Sequence, residues 1–437
     1  MIENPPLITN AIFPEEIIRI LSTPKHMELL FKIEKDYLYW DKIKYLGTKE
    51  LPADVLWQVV KLSRLTYANS VKFGNYTFIF KISNYIQQLL HEFDMNFGGT
   101  LSGSATISGK NKQYYLLSSI MEEAIASSQM EGANTTRKVA KEMLRKQIKP
   151  KDKSQQMIYN NYNTIRFLSE QKKTNLTPGL LLEIHKKITE KTLDNPGDEG
   201  SFRKDDNIYV VNGITGEVAH KPPSYKDIPE IINKLCSFAN NDDVFVHPII
   251  KAIIIHFIIS FLHPFVDGNG RTARSLFYWY MLKKGYWMTE FLSISRIIYK
   301  KKGQYEKAFL YTERDGSDLG YFIQYNMNVL KEASEELKIY IDRKSAENNA
   351  LLEFKNIKGI NERQAHILKM VQEKPGSIFE CKNLINILGV SIKTVRSDLE
   401  GLVQMGFMAT IPINQRLVGY TKSESFERKL EENSKKQ

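Results

Sequence analysis

One stretch of twelve residues, 263–274, holds most of the side chains in this sequence that could carry out chemistry, and it reads HPFVDGNGRTAR. His263 is the one side chain there that titrates near neutral pH, so it is a candidate to take a proton from an attacking hydroxyl. Asp267 offers a hard oxygen ligand of the kind that Mg²⁺ prefers. The stretch therefore combines a candidate general base with a candidate metal ligand.

The other polar residues of the stretch favour an anion. Gly268 and Gly270 allow the backbone to approach a ligand closely and to adopt positive φ angles, so that successive N–H groups can surround an anion. Asn269 adds a side-chain amide. Arg271 and Arg274 are three residues apart, share one helix face and can both reach a polyphosphate. These five residues predict a site for nucleotide phosphates.

The neighbouring segments place this stretch in a loop between two helices. Residues 248–262 are almost wholly apolar and predict a buried helix, and residues 275–284 continue as a second helix. A loop that ends on a helix N-terminus favours an anion, because unpaired N–H groups and the helix dipole both act there. Singly, His-Pro predicts a turn, Gly-Asn-Gly a loop and an arginine pair a solvated face. Together they indicate phosphate-ester chemistry on a nucleoside triphosphate.

This stretch resembles the signature of the Fic family, HPFx(D/E)GNGRxxR, at every specified position. The resemblance implies an all-helical domain that transfers AMP from ATP–Mg²⁺ to a hydroxyl of a target protein. It also implies His263 as general base, Asp267 as Mg²⁺ ligand and the other polar residues as phosphate-binding groups. Related Doc-type kinases have a lysine where this sequence has Gly270, so phosphate transfer is the less favoured reaction. The matching positions are His263, Pro264, Phe265, Asp267, Gly268, Asn269, Gly270, Arg271 and Arg274.

A second motif lies upstream, at the end of a helix predicted over residues 116–131. Its last residue, Glu131, is unfavourable against the helix dipole, so we expect an arginine partner. Ser127, Glu131 and Gly132 resemble the Fic inhibitory motif (S/T)xxxE(G/N). The resemblance implies that Glu131 pairs with Arg274 in the space of the ATP γ-phosphate, so that ATP binds unproductively.

Outside the C-terminal segment, one β-hairpin is predicted, over residues 208–220, because β-branched and aromatic residues flank Asn212-Gly213. By itself this pattern is typical of an ordinary surface hairpin. The Fic resemblance implies a flap beside the active site, whose edge pairs with an extended segment of the target by strand addition. The edge residues are Ile208, Tyr209, Val210 and Val211.

Composition places the chain among ordinary globular proteins. It has 437 residues, 42% hydrophobic and 25% charged, enough for two or three domains. Cys236 and Cys381 give neither a disulfide framework nor a metal-ligand spacing and predict a reducing, cytoplasmic location. We expect no signal peptide and no membrane span, since the most apolar run, 249–262, is too short. The net charge of +11 is not concentrated in one segment, which favours solvated surfaces over a nucleic-acid stripe.

The expected fold class is all-α, a mainly helical Fic fold with one β-hairpin flap, followed by a C-terminal winged helix-turn-helix. A double-glycine break at 98–99 is expected to close the N-terminal extension. Within the core, His185 is expected to be an ordinary packed or surface histidine. The predicted boundaries are 1–100 for a helical extension, 101–344 for the Fic core, 345–360 for a polar linker, 361–423 for the winged helix and 424–437 for a charged tail.

The C-terminal segment resembles the winged-helix modules of bacterial transcription factors. Its third helix carries Lys393 and Arg396 against Asp398 and Glu400, which is a weak electrostatic footprint for binding DNA phosphates. We therefore favour a docking or substrate-selecting module over DNA binding.

The main reading is an autoinhibited protein adenylyltransferase, and two other functions stay open. One is the removal of AMP from a modified protein, with the Glu131 carboxylate aligning a water molecule. The other is a DNA-binding regulator in which the Fic core senses a ligand. The sequence does not identify the target protein or the signal that frees Glu131, and it leaves open a homodimer that holds the inhibitory helix in place.

Overall fold

Helices form most of the structure, a computed structural model that describes residues 2–7, 14–97, 109–211, 216–374, 376–414 and 417–434. The chain divides into two compact units, Met1–Leu337 and Lys338–Gln437. The mainly helical fold class is confirmed. Within the described ranges, every helix is too short or too polar to cross a membrane.

Most of the described helices lie in or begin in the first unit. They are α1 (Pro14–Ser22), α2 (Pro24–Asp36), α3 (Trp40–Ile43), α4 (Ala53–Thr66), α5 (Asn84–Phe97), α6 (Gly109–Met130), α7 (Arg137–Lys146), α8 (Lys153–Glu170), α9 (Pro178–Thr189), α10 (Ile228–Asn240), α11 (Pro248–Leu262), α12 (Asn269–Lys283), α13 (Ile294–Lys300), α14 (Lys302–Arg314) and α15 (Gly320–Lys355). Short 3₁₀ turns occur at Pro196–Asp198, Tyr225–Asp227 and Trp287–Phe291.

The strands of the described residues pair as antiparallel hairpins, and one of these hairpins corrects the sequence analysis. Helices with short breaks were expected throughout residues 1–100, yet β1 and β2 form there. Gly74, with a φ of 58°, opens a two-residue loop, and Phe73, Phe78 and Phe80 are buried, a local hairpin signal. The expected break at 98–99 lies outside the described residues. The strands are β1 (Asn69–Phe73), β2 (Tyr76–Phe80), β3 (Val210–Val211), β4 (Val218–His220), β5 (Met408–Asn414) and β6 (Leu417–Lys422).

The centre of the first unit is the pair α11 and α12, which flank the signature loop. α11 is apolar on nearly all sides and buried along almost its whole length, as expected of a helix enclosed by others. It begins with Pro248, and the Ile249 N–H donates to His247 Nδ1 at 3.3 Å, which stabilises its N-terminus. α6, α8 and α9 pack against α12. Core helices therefore fix the loop at both ends.

A buried polar cluster attaches the N-terminal helices to the start of α15. Arg64 on α4 is 2% exposed. Its Nε donates to Glu34 Oε1 at 3.0 Å, Nη1 to the Tyr321 hydroxyl at 2.8 Å and Nη2 to the Leu38 carbonyl at 3.0 Å. The guanidinium also lies 3.9 Å above the ring of Tyr37, a favourable cation–π distance. One arginine thus joins three segments of the first unit.

We expect Arg64→Ala to lower the free energy of unfolding by about 2–4 kcal/mol, because the Tyr321 hydroxyl and the Leu38 carbonyl each lose a buried hydrogen-bond donor. Urea unfolding measures the change. The matched control is Arg19→Ala, whose side chain is 73% exposed and whose loss should change stability by about 0.5 kcal/mol or less. Equal effects of the two substitutions would contradict a structural role for the cluster.

Among the described residues, the second unit contains the end of α15, three further helices, a hairpin and a terminal helix around its own apolar core. This order of elements is the one that a winged helix requires, and Phe379 also bridges to Tyr420 of β6; the winged-helix assignment itself stays a prediction. α15 continues to Lys355, so most of the expected linker 345–360 is helical. The remaining helices are α16 (Glu362–Glu373), α17 (Cys381–Leu388), α18 (Ile392–Gln404) and α19 (Phe426–Ser434).

The burial of Asp398 reduces the negative charge that α18 exposes to solvent. The residue is 4% exposed, and its carboxylate accepts from Arg363 Nε at 2.7 Å. It therefore does not oppose Lys393 and Arg396, which are exposed on the same helix. Spacing along α18 could not reveal this, because Arg363 lies on α16.

Candidate active site

His263 follows α11 and has a defined arrangement of its two ring nitrogens. Its backbone enters the left-handed region, with a φ of 43°, which ends the helix. Nδ1 contacts the carbonyl of Ser260. Because a carbonyl only accepts, Nδ1 carries the hydrogen and Nε2 holds the lone pair. Burial lowers the pKa of His263 to about 4, so the ring is neutral at pH 7 and Nε2 is able to accept a proton.

Arg203 holds the backbone of the residue that would act as base. Its Nε donates to the His263 carbonyl at 2.8 Å, and its backbone N–H donates to the Pro264 carbonyl at 2.9 Å. Nη2 donates to the Pro223 carbonyl, and Nη1 to Asp206 Oδ1 at 2.8 Å. The sequence analysis gave Arg203 no role, since the loop it holds lies 60 residues away.

Asn269 shapes the loop through its side chain. Its Oδ1 accepts from the Phe265 N–H at 3.0 Å, and its Nδ2 donates to the Phe265 carbonyl at 2.8 Å. Gly268, with a φ of 80°, is the N-cap of α12, in a conformation that favours glycine. The first turn of α12 therefore starts at this loop with N–H groups that lack helical acceptors, which favours an anion there.

Asp267 is the carboxylate of the signature, and its side chain is 49% exposed. Oδ1 accepts from the Gly268 N–H, and Arg271 Nη2 lies 3.5 Å away. In the parts of the chain that the structure describes, no three His, Cys, Asp or Glu side chains come together to hold a metal. A half-exposed carboxylate beside a loop that favours anions fits Mg²⁺, which takes one or two carboxylates and completes its shell with substrate phosphates and water.

Both arginines of the signature are buried, and they have different partners. Arg271 Nη1 donates to the Ile188 carbonyl at 3.2 Å. Arg274 contacts the end of α6: Nε donates to Ser127 Oγ at 2.9 Å, and Nη2 donates to the Ser127 carbonyl at 3.0 Å and to Glu131 Oε1 at 2.8 Å. The fold thus brings Ser127, Glu131 and Arg274 into one hydrogen-bonded group.

The Glu131 carboxylate lies against the start of α12. A Cβ atom built on Gly270 would be 2.2 Å from Glu131 Oε1, so glycine is the residue that leaves room for it. α6 ends at Met130, one residue earlier than expected. Burial raises the pKa of Glu131, but the groups around it, with Arg274 foremost and Arg271 and His263 behind, lower it by more, and the net shift is downward. An ionised carboxylate therefore already occupies the N-terminus of α12, a favourable place for an anion.

Glu123 adds a contact that the sequence analysis missed. It precedes Ser127 on α6 by four residues and Glu131, directly after the end of α6, by eight, so the three lie along one side of the helix. Its Oε2 accepts from the Tyr278 hydroxyl at 2.8 Å, and Tyr278 follows Arg274 by four residues on α12. The matched spacing on the two helices was the signal that could have identified Glu123.

A cavity of about 240 Å³ lies beside His263, between the β3–β4 hairpin and α14. Val210 and Val211 line it from the hairpin, and residues 208–209 precede the paired strand. The hairpin loop, 212–215, lies outside the described residues. The lining residues near the signature are Glu131, Ser260, His263, Gly270 and Arg274, and those on α14 are Lys302, Tyr305, Glu306, Phe309, Leu310 and Glu313.

Comparison with known proteins bears on this site, because residues 175–281 match the Fic/DOC family and include the whole signature loop. The chain contains a Fic domain. That domain includes His263, Arg203 and His185, whereas α6 with Glu131 precedes the matched residues.

The Fic domain is similar to parts of longer relatives that are named "Protein adenylyltransferase Fic". The relative from Aedes aegypti is 33% identical over 107 residues, which is 24% of this chain and 19% of that protein. The relative from Nematostella vectensis is 29% identical over 117 residues, which is 26% of this chain and 25% of that protein. The matches thus span a quarter or less of these relatives' length.

A similarity in three dimensions extends beyond the Fic domain. The crystal structure of a Fic family protein from Desulfovibrio desulfuricans aligns with a TM-score of 0.52 at 17% identity. The alignment covers 79% of this chain and 97% of that one. At this identity the similarity shows a shared fold.

His256 gives the Fic domain a testable pH dependence. Its ring is buried in α11, with Nε2 at 2.9 Å from the Tyr305 hydroxyl. Burial lowers its pKa from 6.5 to about 3. Between these values the unfolded chain binds a proton that the folded chain does not, so stability falls as the pH falls through this window.

We expect His256→Gln to weaken that pH dependence. The free energy of unfolding of the parent chain should be lower at pH 5 than at pH 7.5, with His256 contributing about 2 kcal/mol of the loss. Urea unfolding at both pH values measures the difference, with His91→Gln at an exposed position as the control. An unchanged difference in His256→Gln would show that this histidine is not buried neutral.

Proposed function

We propose that this chain transfers AMP from ATP to a hydroxyl group of a target protein. The observation that carries the proposal is the neutral His263, whose Nε2 holds a lone pair at the cavity beside a phosphate-binding loop. The names of the two relatives that share the Fic domain support the same reaction. ATP is then the substrate that supplies AMP.

The reaction follows from the groups around the loop. His263 takes the proton of a Ser, Thr or Tyr hydroxyl, and the oxygen attacks the α-phosphorus in line. The bond between that phosphorus and the bridging oxygen breaks, and pyrophosphate leaves. The first turn of α12, with Gly268, Gly270 and Arg271, stabilises the negative charge. Mg²⁺, which Asp267 would hold, supplies further charge neutralisation on the phosphates.

Glu131 inhibits this reaction by occupying Arg274. Three hydrogen bonds of the Arg274 guanidinium go to Ser127 and Glu131, so this cation is not available to the outer phosphate of ATP. The carboxylate also brings negative charge to the place where the γ-phosphate would lie, and two anions there repel each other. Removal of the carboxylate relieves both effects.

Self-labelling with α-labelled ATP and Mg²⁺ tests transfer, base and inhibition together. We expect weak labelling of the parent chain and strong labelling of Glu131→Gly, because the variant frees Arg274. Addition of His263→Ala should lower labelling by about 10²–10⁴-fold, the usual contribution of a general base. The matched control is Glu50→Gly, which removes an exposed loop carboxylate and should label like the parent. Equal labelling in every form would contradict the assignment.

Removal of AMP is the second candidate reaction, and the Glu131 carboxylate in the same cavity as His263 favours it. A carboxylate there can align a water molecule on an AMP-modified side chain. Labelled Glu131→Gly protein, freed of ATP, is the substrate for the test. AMP release on addition of the unlabelled parent chain, and its loss with Glu131→Gln, would support hydrolysis. Release at the rate of the buffer blank would leave transfer as the single reaction.

The target protein docks by adding a strand to β3. Val211, 56% exposed, and Val210 provide the strand edge beside the cavity, which would hold the acceptor hydroxyl near His263.

Residues 361–423 act as a docking module for the same target. Because Lys393 and Arg396 are exposed without Asp398 beside them, DNA is the competing ligand. Fluorescence anisotropy with duplex DNA separates the two, since phosphate binding weakens steeply with salt.

A further inference from the structure

His185 is buried beneath the signature loop and makes two hydrogen bonds of opposite kind. Nδ1 accepts from the Gly200 N–H at 3.1 Å, and Nε2 lies 2.9 Å from the Asp267 carbonyl. Since Nδ1 accepts, the hydrogen is on Nε2, which donates to Asp267. The ring also stacks on Phe265 at a centroid distance of 3.7 Å and an interplanar angle of 3°. Position, tilt and tautomer of the ring are therefore all determined.

The ring and its neighbour Thr189 form a floor for the turn into α12. A Cβ atom built on Gly268 would be 2.8 Å from Thr189 Cγ2 and 3.4 Å from His185 Nε2. The chain passes this point with the φ of 80° that glycine allows. The carbonyl of Asp267 is tied to this floor, while its carboxylate is half exposed. One hydrogen bond thus fixes the peptide that carries the candidate metal ligand.

We infer that His185 is a positioning residue for Mg²⁺–ATP: it holds the Asp267 backbone so that the carboxylate meets the ion without rearrangement. This inference rests on the proposed function, in which Asp267 holds the metal. The side chain acts through Asp267 and touches neither substrate nor metal. Partners that orient a metal ligand in this way commonly contribute about 10–100-fold to metal affinity.

Two substitutions separate the hydrogen bond from the packing. His185→Phe keeps a flat ring against Phe265 but cannot donate to Asp267. His185→Gln loses the ring but places an amide nitrogen near the position of Nε2. Both are made in full-length chain carrying Glu131→Gly, which frees the phosphate site, and His263→Ala, which prevents self-labelling during the measurement.

Calorimetric titration with ATP, in excess Mg²⁺ and in EDTA, gives the gain in affinity that the metal provides. We expect His185→Phe to reduce that gain by about 10-fold or more, and His185→Gln to restore most of it. ATP affinity in EDTA should stay within about twofold of the background chain in both variants. Thermal unfolding, run in parallel, establishes that the compared proteins are folded.

The outcomes distinguish the inference from the reaction. If Mg²⁺ increases the ATP affinity of His185→Phe as much as it increases that of the background chain, the positioning role is overturned. Loss of ATP affinity in EDTA by the same factor also overturns it, because the ring would then support the whole loop. If the background chain itself gains nothing from Mg²⁺, the metal role of Asp267 fails along with the inference. If Mg²⁺ increases the ATP affinity of the background chain but Glu131→Gly transfers no AMP, the proposed reaction alone is overturned.

Discussion

The burial of the Arg274 guanidinium is the constraint on which the active site depends. A guanidinium removed from water requires an anion and hydrogen-bond acceptors, and leaving it unpaired costs several kcal/mol. In this fold Ser127 and Glu131 supply them. The contact that would exclude the γ-phosphate is therefore the same contact that satisfies a buried charge. Under the proposed function, activation needs an exchange of anions at Arg274, in which an outer phosphate of ATP replaces the carboxylate.

This exchange also explains why α6 and α12 meet as they do. Glu123 and Ser127 on α6 and Glu131 just after its end are spaced by four residues, and they face Tyr278, Arg274 and Gly270 on α12. The Glu131 end lies at the cavity, whereas Glu123 lies two turns deeper in the core. Under the proposed inhibition, loss of the outer contact would leave the deeper one intact, so that the Glu131 carboxylate could withdraw while the helix pair stays packed.

The signature loop obtains its shape from side chains that bond to its backbone. Arg203 holds the His263 carbonyl, His185 holds the Asp267 carbonyl, and Asn269 holds both polar groups of Phe265. These bonds satisfy buried carbonyls in a segment that is neither helix nor strand. The candidate base and the candidate metal ligand, which lie in the same short loop, are thereby held at fixed positions.

Much of this molecule could be predicted from local patterns. The signature is contiguous, α11 is apolar on nearly all sides, and Ser127 and Glu131 are one helical turn apart. The candidate chemistry and the helices around it are therefore evident in the order of residues. Even the missed β1–β2 hairpin had a local signal in Gly74 and the alternating aromatic residues after it.

Only the tertiary structure decided which distant side chains complete the site. His185 lies 82 residues from Asp267, Arg203 lies 60 from His263, and Glu123 lies 155 from Tyr278. Asp398 likewise changed from a surface charge to a buried partner of Arg363. The matched spacing on α6 and α12 was a sequence signal for the contact between Glu123 and Tyr278. For His185, Arg203 and Asp398, each bond joins one side chain to a group on another element, and it leaves no periodicity or spacing in the sequence by which it could be predicted.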